Sequence, residues 1–164
     1  MRLTVPAAVM VAMCACGGAN ATQSTSATAS VPSTPLPTPD LTALRIQYQA
    51  LLEPLGIASA TFNNRMLALG SSATAAEVAA VASPYAMALR TYDAAVLQLP
   101  VPPSMKVDVQ RLVTADRALE SDLTGDVTVT GFTVPNWSQQ ITPDANRVVA
   151  ASNVVRADLG LQGL

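Results

Sequence analysis

From Asp40 to the C-terminus, apolar residues recur at steps of three and four, a period that only an α-helix turns into one face. Leu41, Leu44, Tyr48, Leu51, Leu55, Ala58, Phe62, Met66 and Leu69 form a first stripe, with Asp40 placed as N-cap and Gly70 as stop. A second helix opens at Thr74-Ala-Ala-Glu77, the pattern of a capping box. Its buried face is Val78, Val81, Tyr85, Leu89, Tyr92, Val96 and Leu99, and Pro100 to Pro103 end it. A third helix is expected from about Ser104 to Leu123, with Met105, Val109, Leu112, Leu119 and Leu123 on one stripe and Gly125 behind it. For the fourth, Trp137 and Ile141 lead in. Thr142-Pro143 supplies an N-cap with proline at the first helical position, Val148, Val155 and Leu159 continue the face, and Gly160 closes it. Four amphipathic helices with mostly short connections predict an all-α, up-down four-helix bundle over residues 40–164.

Two features qualify that frame. The longest connection, residues 125–136, alternates Val127 and Val129 with threonines. It reads as an irregular crossing loop that closes one bundle end with Phe132 and Val134. Pro54 and Pro84 interrupt the first two helices, and each removes one backbone hydrogen bond. Paired bends around the core are expected; a groove where the freed carbonyls of Ala50 and Ala80 meet a ligand is the sharper alternative.

Composition narrows the function classes. The chain is 50% apolar but only 4% aromatic, so alanine and valine carry the apolar count. Small side chains let helices approach closely, which argues against a large internal cavity. A net charge of −2 gives no basic patch for nucleic acid. There is no histidine, which excludes Ser-His-Asp and Cys-His catalysis. Glu53, Glu77 and Glu120 are the only glutamates, too few for a di-metal carboxylate bundle. No glycine-rich phosphate loop is present. No enzyme, metal or cofactor is therefore expected.

The N-terminal segment points to an address. After Met1-Arg2 come eleven residues, Leu3 to Met13, broken only by Thr4 and Pro6. That run is short for a bilayer span, which needs about 20 residues, and suits a signal-peptide core. Cys14 and Cys16, the only cysteines, follow it. Metal binding lacks further ligands, and a disulfide across one residue would be strained. The arrangement Ala15-Cys16-Gly17-Gly18 resembles a bacterial lipobox, departing from it at Met13, where leucine is usual. The resemblance implies removal of residues 1–15 and a diacylglyceryl thioether on Cys16, with Cys14 as the alternative site and an ordinary secreted protein cut nearby as the alternative product. Residues 16–39 are rich in Ser, Thr, Ala and Pro, carry no charge and have Leu36 as the only large apolar side chain beyond the cysteine. Such a segment buries too little to offset its ordering entropy. It reads as a disordered tether with a reach on the order of 25 to 70 Å.

Within the helical part a few residues stand out. Asp116 falls on the apolar stripe of the third helix and needs a partner. Arg90, Arg147 and Arg156 are the candidates from neighbouring helices, with Asn153 on the side of Arg156. Tyr48, Tyr85 and Tyr92 sit on core stripes. Trp137 is expected to plug a bundle end, with an exposed partner-binding role as the alternative. The lipobox, the tether, the helix end "YDAAVLQLPVPP" and the closing "NVVRADLGL" together resemble small actinobacterial lipoproteins, those of mycobacteria included, a group with no catalytic motif to carry over. That resemblance implies a place at the outer face of the cell membrane or in the envelope. The leading expectation is a lipid-anchored, non-catalytic bundle acting as an interaction or accessory module toward an envelope protein. The alternative is a carrier of a small apolar ligand or lipid held between the kinked helices near Tyr48, Phe62 and Tyr85.

Overall fold

A computed structural model describes residues 40–125 and 132–164. The expected signal segment and tether, with Cys14 and Cys16, and the Val127–Val129 stretch lie outside the described residues. The described part is all-α. Helix α1 spans Leu41–Leu69, α2 Ala75–Val96, α3 Lys106–Gly125 and α4 Val134–Asp158, and one 3-10 turn, Pro103–Met105, leads into α3.

The caps explain where the first two helices begin. Asp40 Oδ1 accepts from the N–H groups of Thr42 at 2.9 Å and Ala43 at 3.4 Å. At the far end Gly70 adopts φ 72°, a conformation costly for a side chain, and its N–H reaches Met66 O. At α2, Glu77 Oε2 accepts from Thr74 N at 2.8 Å while Thr74 Oγ1 accepts from Glu77 N at 3.3 Å, a complete capping box. The Thr74 N–H and hydroxyl, which both donate to Glu77 Oε2, hold that carboxyl below its ordinary range.

Helix α4 departs from the sequence expectation. It starts at Val134, not after Thr142: Thr133 is the N-cap, its Oγ1 accepting from Asn136 N at 3.3 Å, and Pro135 lies in the first turn. This region offers two starts, Thr133-Val134-Pro135 and Thr142-Pro143, and the earlier one places Trp137 on the buried face. Pro143 consequently lies inside the helix, and Thr142 Oγ1 donates to Ser138 O. Pro54, Pro84 and Pro143 are all exposed, as are Ala50, Ala80 and Gln139, whose carbonyls each proline leaves without a helical donor. Water can satisfy those carbonyls, so the interruptions fall on the side where they cost least.

Each helix packs on its predecessor, α1 with α2, α2 with α3 and α3 with α4, as in an up-down bundle. The backbones of α1 and α4 approach less closely. Long side chains bridge that side: the Phe62 and Trp137 rings meet edge-on at 6.2 Å, and Arg45 Nε donates to Leu159 O at 2.8 Å. One continuous core joins the four helices, from Leu44, Tyr48 and Phe62 through Leu89 and Tyr92 to Leu112, Leu123 and Val155. Ala82 and Ala86 are buried on α2, whereas Val81 and Tyr85 are only partly covered, so the seam of α2 lies slightly off the stripe read from its large residues. Leu41 is exposed.

Candidate functional site

Three features of the bundle are candidates for function: a cleft beside Pro84, a groove between α3 and α4, and a polar layer inside the core.

The cleft holds about 280 Å³ and is lined by Ala58, Thr61, Phe62, Val81, Pro84 and Tyr85, with Arg65 at its edge. Phe62 and Tyr85 stack at 5.3 Å, with planes 26° apart. Burial raises the pKa of Tyr85, offset in part by a hydrogen bond with Ser59. Of the residues expected to form a ligand region, Phe62 and Tyr85 do line one recess. Tyr48 and Pro54 do not belong to it, because Tyr48 is buried opposite Tyr92, further along the bundle. Trp137 is only 2% exposed and packs against Phe62. That burial leaves no exposed indole for the alternative partner-binding role: the early start of α4 turns it inward.

The groove is larger, about 710 Å³, and shallow. Its floor is Ala115, Ala118, Ala150 and Ala151, and the half-exposed Val107 and Val154 line it as well. Arg111 and Arg147 stand beside it, each paired with an aspartate three residues earlier on its own helix, Asp108 and Asp144. The sequence reading missed this face because alanine carries almost no hydrophobic signal. Its clue was the alanine excess itself.

The polar layer sits between α2 and α3. Asp116 is 1% exposed and Asp93 5%. Both oxygens of Asp116 and Oδ1 of Asp93 are buried without a hydrogen-bond partner. Burial pushes both carboxyls upward; the neighbouring Asp93 raises Asp116 further, while Asp116 and Arg117 pull Asp93 partly back. The expected arginine partners of Asp116 are engaged elsewhere. Arg90 pairs with Glu120 at 2.5 Å, Arg147 pairs with Asp144, and Arg156 donates to Gln162 O at 2.6 Å. Asn153 likewise serves the C-terminal tail, accepting from Leu164 N at 2.7 Å. Each of these arginines finds an oxygen partner near the surface, which avoids the cost of stripping water from a charged pair in the core. The nearest cation, Arg117 on α3 itself, stands 3.8 Å from Asp93 Oδ2 and is mostly exposed. Beside the acids, Tyr92 donates its hydroxyl proton to Tyr48 at 3.1 Å in the buried core. Burial, Tyr48 and the two acids all raise the pKa of Tyr92.

Among the described residues no group of three or more His, Cys, Asp or Glu side chains is placed to hold a metal ion. Among them, too, no helix is long and apolar enough to cross a membrane. Compared with models of known protein families, with curated proteins and with solved structures, the chain matches none of them.

Proposed function

We propose that the protein is a lipid-anchored, non-catalytic module of the cell envelope, an up-down bundle of the actinobacterial lipoprotein type held on its tether, that docks a helix of an envelope protein in the α3–α4 groove. The groove carries this reading. An alanine floor lets a third backbone approach two helices closely, the geometry of helix-in-groove recognition. Val107 and Val154 supply exposed apolar contact, and the Arg111–Asp108 and Arg147–Asp144 pairs give the groove a polar rim of balanced charge. The anchor part rests on the lipobox-like Ala15-Cys16 and the uncharged stretch that follows it. Two or more acyl chains give stable attachment where one is marginal.

A photo-cross-linking residue at Ala118 tests the groove in the native host, with the exposed Met87 on α2 as control. A discrete adduct from position 118 and none from 87 supports docking; equal labelling at both, or none at 118, removes the groove as the site. Cys16→Ala should move the protein from the membrane to the soluble fraction. Retention on the membrane would reject Cys16 as the anchor, and release by Cys14→Ala alone would transfer the role to Cys14. The carrier alternative draws support only from the Phe62–Tyr85 cleft, whose volume falls below the roughly 300–1,000 Å³ usual for small-molecule sites.

A further inference from the structure

Two buried carboxyls that face each other cannot both be ionised cheaply. The register of α2 against α3, which pairs Arg90 with Glu120 and sets Arg117 3.8 Å from Asp93, brings Asp93 beside Asp116, and three of their four oxygens have no partner. A carboxylate only accepts hydrogen bonds, so two ionised groups leave these oxygens stranded. One proton removes the conflict: a protonated carboxyl donates to its neighbour, and the pair carries a single charge, which the guanidinium of Arg117 at 3.8 Å partly offsets.

Among the described residues, the other groups around the pair are engaged elsewhere or uncharged. On α2, Arg90 is taken by Glu120 of α3, and Tyr85 and Tyr92 face Asp116 as neutral hydroxyls raised by burial. From α1, Tyr48 spends its contact on Tyr92. On α4, Arg147 lies along the outer groove and is bound to Asp144. On α3 itself, Glu120 adds like charge to Asp93, and Arg117 is the one cation near the pair among the described residues.

We propose that Asp93 and Asp116 share one proton across the α2–α3 seam, and that losing it opens this seam, a proton-operated latch between the α1–α2 and α3–α4 hairpins. The position suits a latch. The two hairpins join through the α2–α3 packing, because α1 and α4 meet mainly through long side chains. A second negative charge appearing there strains the one extended backbone contact between the halves.

The direction follows from the sign of linkage. The folded chain holds a carboxyl proton that the unfolded chain releases near pH 4. Stability is therefore complete below the ordinary carboxylate range and is lost as pH rises through neutrality. The folding equilibrium constant falls by up to about tenfold per pH unit for one such proton.

The test is denaturant unfolding of the intact chain from pH 5 to pH 8.5, with amide hydrogen exchange at both ends of the range. The unfolding midpoint should fall as pH rises, and protection should fall first around residues 89–96 and 112–119. Asp116→Asn keeps the shape without the charge; it should flatten the pH dependence and be the more stable protein at pH 8.5. Asp93→Asn should flatten it too, and it serves should the first variant fail to fold. A wild-type midpoint that does not fall between pH 5 and 8.5, or the same fall in both variants, overturns the shared proton. Protection lost evenly along all four helices overturns the seam as the part that opens.

Discussion

Replacing Tyr48, Tyr92 or both by phenylalanine separates a hydrogen bond from the cost of breaking it. Tyr48 is 0% exposed and Tyr92 4%, their hydroxyls are 3.1 Å apart, and their rings meet edge-on at 6.4 Å. Phenylalanine keeps the ring contact and removes only the oxygen. Either single change strands the other hydroxyl in the core, where an unpaired polar group costs about 1–3 kcal/mol. We expect each single variant to lose about 1–2 kcal/mol on that basis. The double variant strands nothing and gives up only the net worth of the bond, about 0.5–1.5 kcal/mol. The three values should therefore fail to add by about 1–2 kcal/mol, the double variant resembling either single one. Urea unfolding at pH 5 is the assay, since the buried acids then hold their proton and add no variation of their own. Strict additivity, with the double variant losing the full sum, would refute the reasoning: each hydroxyl would then be satisfied independently of the other.

Trp137→Ala should cost about 3–5 kcal/mol in the same assay, as the largest fully buried side chain is lost. Trp137→Phe should cost much less, because the indole Nε1 is buried without an acceptor and its removal relieves a penalty. The lone tryptophan should emit at short wavelength when folded and shift red on unfolding; long-wavelength emission from the native state would contradict its burial. Thr74→Ala should lose about 1 kcal/mol by breaking the capping box of α2, measured as a lower unfolding midpoint. Gly160→Ala should lose about 1–2 kcal/mol, since the residue has φ 65° and a Cβ there would lie 2.9 Å from Arg45 Nη2; an unchanged midpoint would mean the turn relaxes freely.

The caps were the most legible part of the fold. Asp40, Gly70 and the Thr74–Glu77 box act through hydrogen bonds between near neighbours, so sequence spacing alone locates them. The start of α4 was not legible in that way. Thr133-Val134-Pro135 and Thr142-Pro143 are both sound local starts, and what separates them is the tertiary contact of Trp137 with Phe62. Asp116 on the α3 stripe was readable as a buried acid. Its partner was not, because long-range preference favours an arginine, whereas the fold supplies Asp93. Asp93 sits beside Tyr92 on the buried face of α2, and its type made it look like a surface residue. The α3–α4 groove escaped for the opposite reason: four alanines give no periodic contrast and acquire meaning only when two helices bring them together.

The groove and the acid pair share one helix, and that ties the two proposals together. Ala115 and Ala118 form part of the groove floor on one side of α3, while Asp116 faces α2 on the adjoining side. A helix docked in the groove would press on α3 from outside as the shared proton holds it from within. Any partner that binds the closed seam more tightly than the open one must then raise proton affinity at Asp93 and Asp116, and the proton must raise partner affinity by the same factor. Two buried acids with one mostly exposed counter-charge between them are a poor way to stabilise a bundle, because apolar residues of similar volume would do better. Their placement behind the α3–α4 groove is the arrangement expected if the bundle's task is to change its grip on a partner with pH rather than to hold it equally under all conditions.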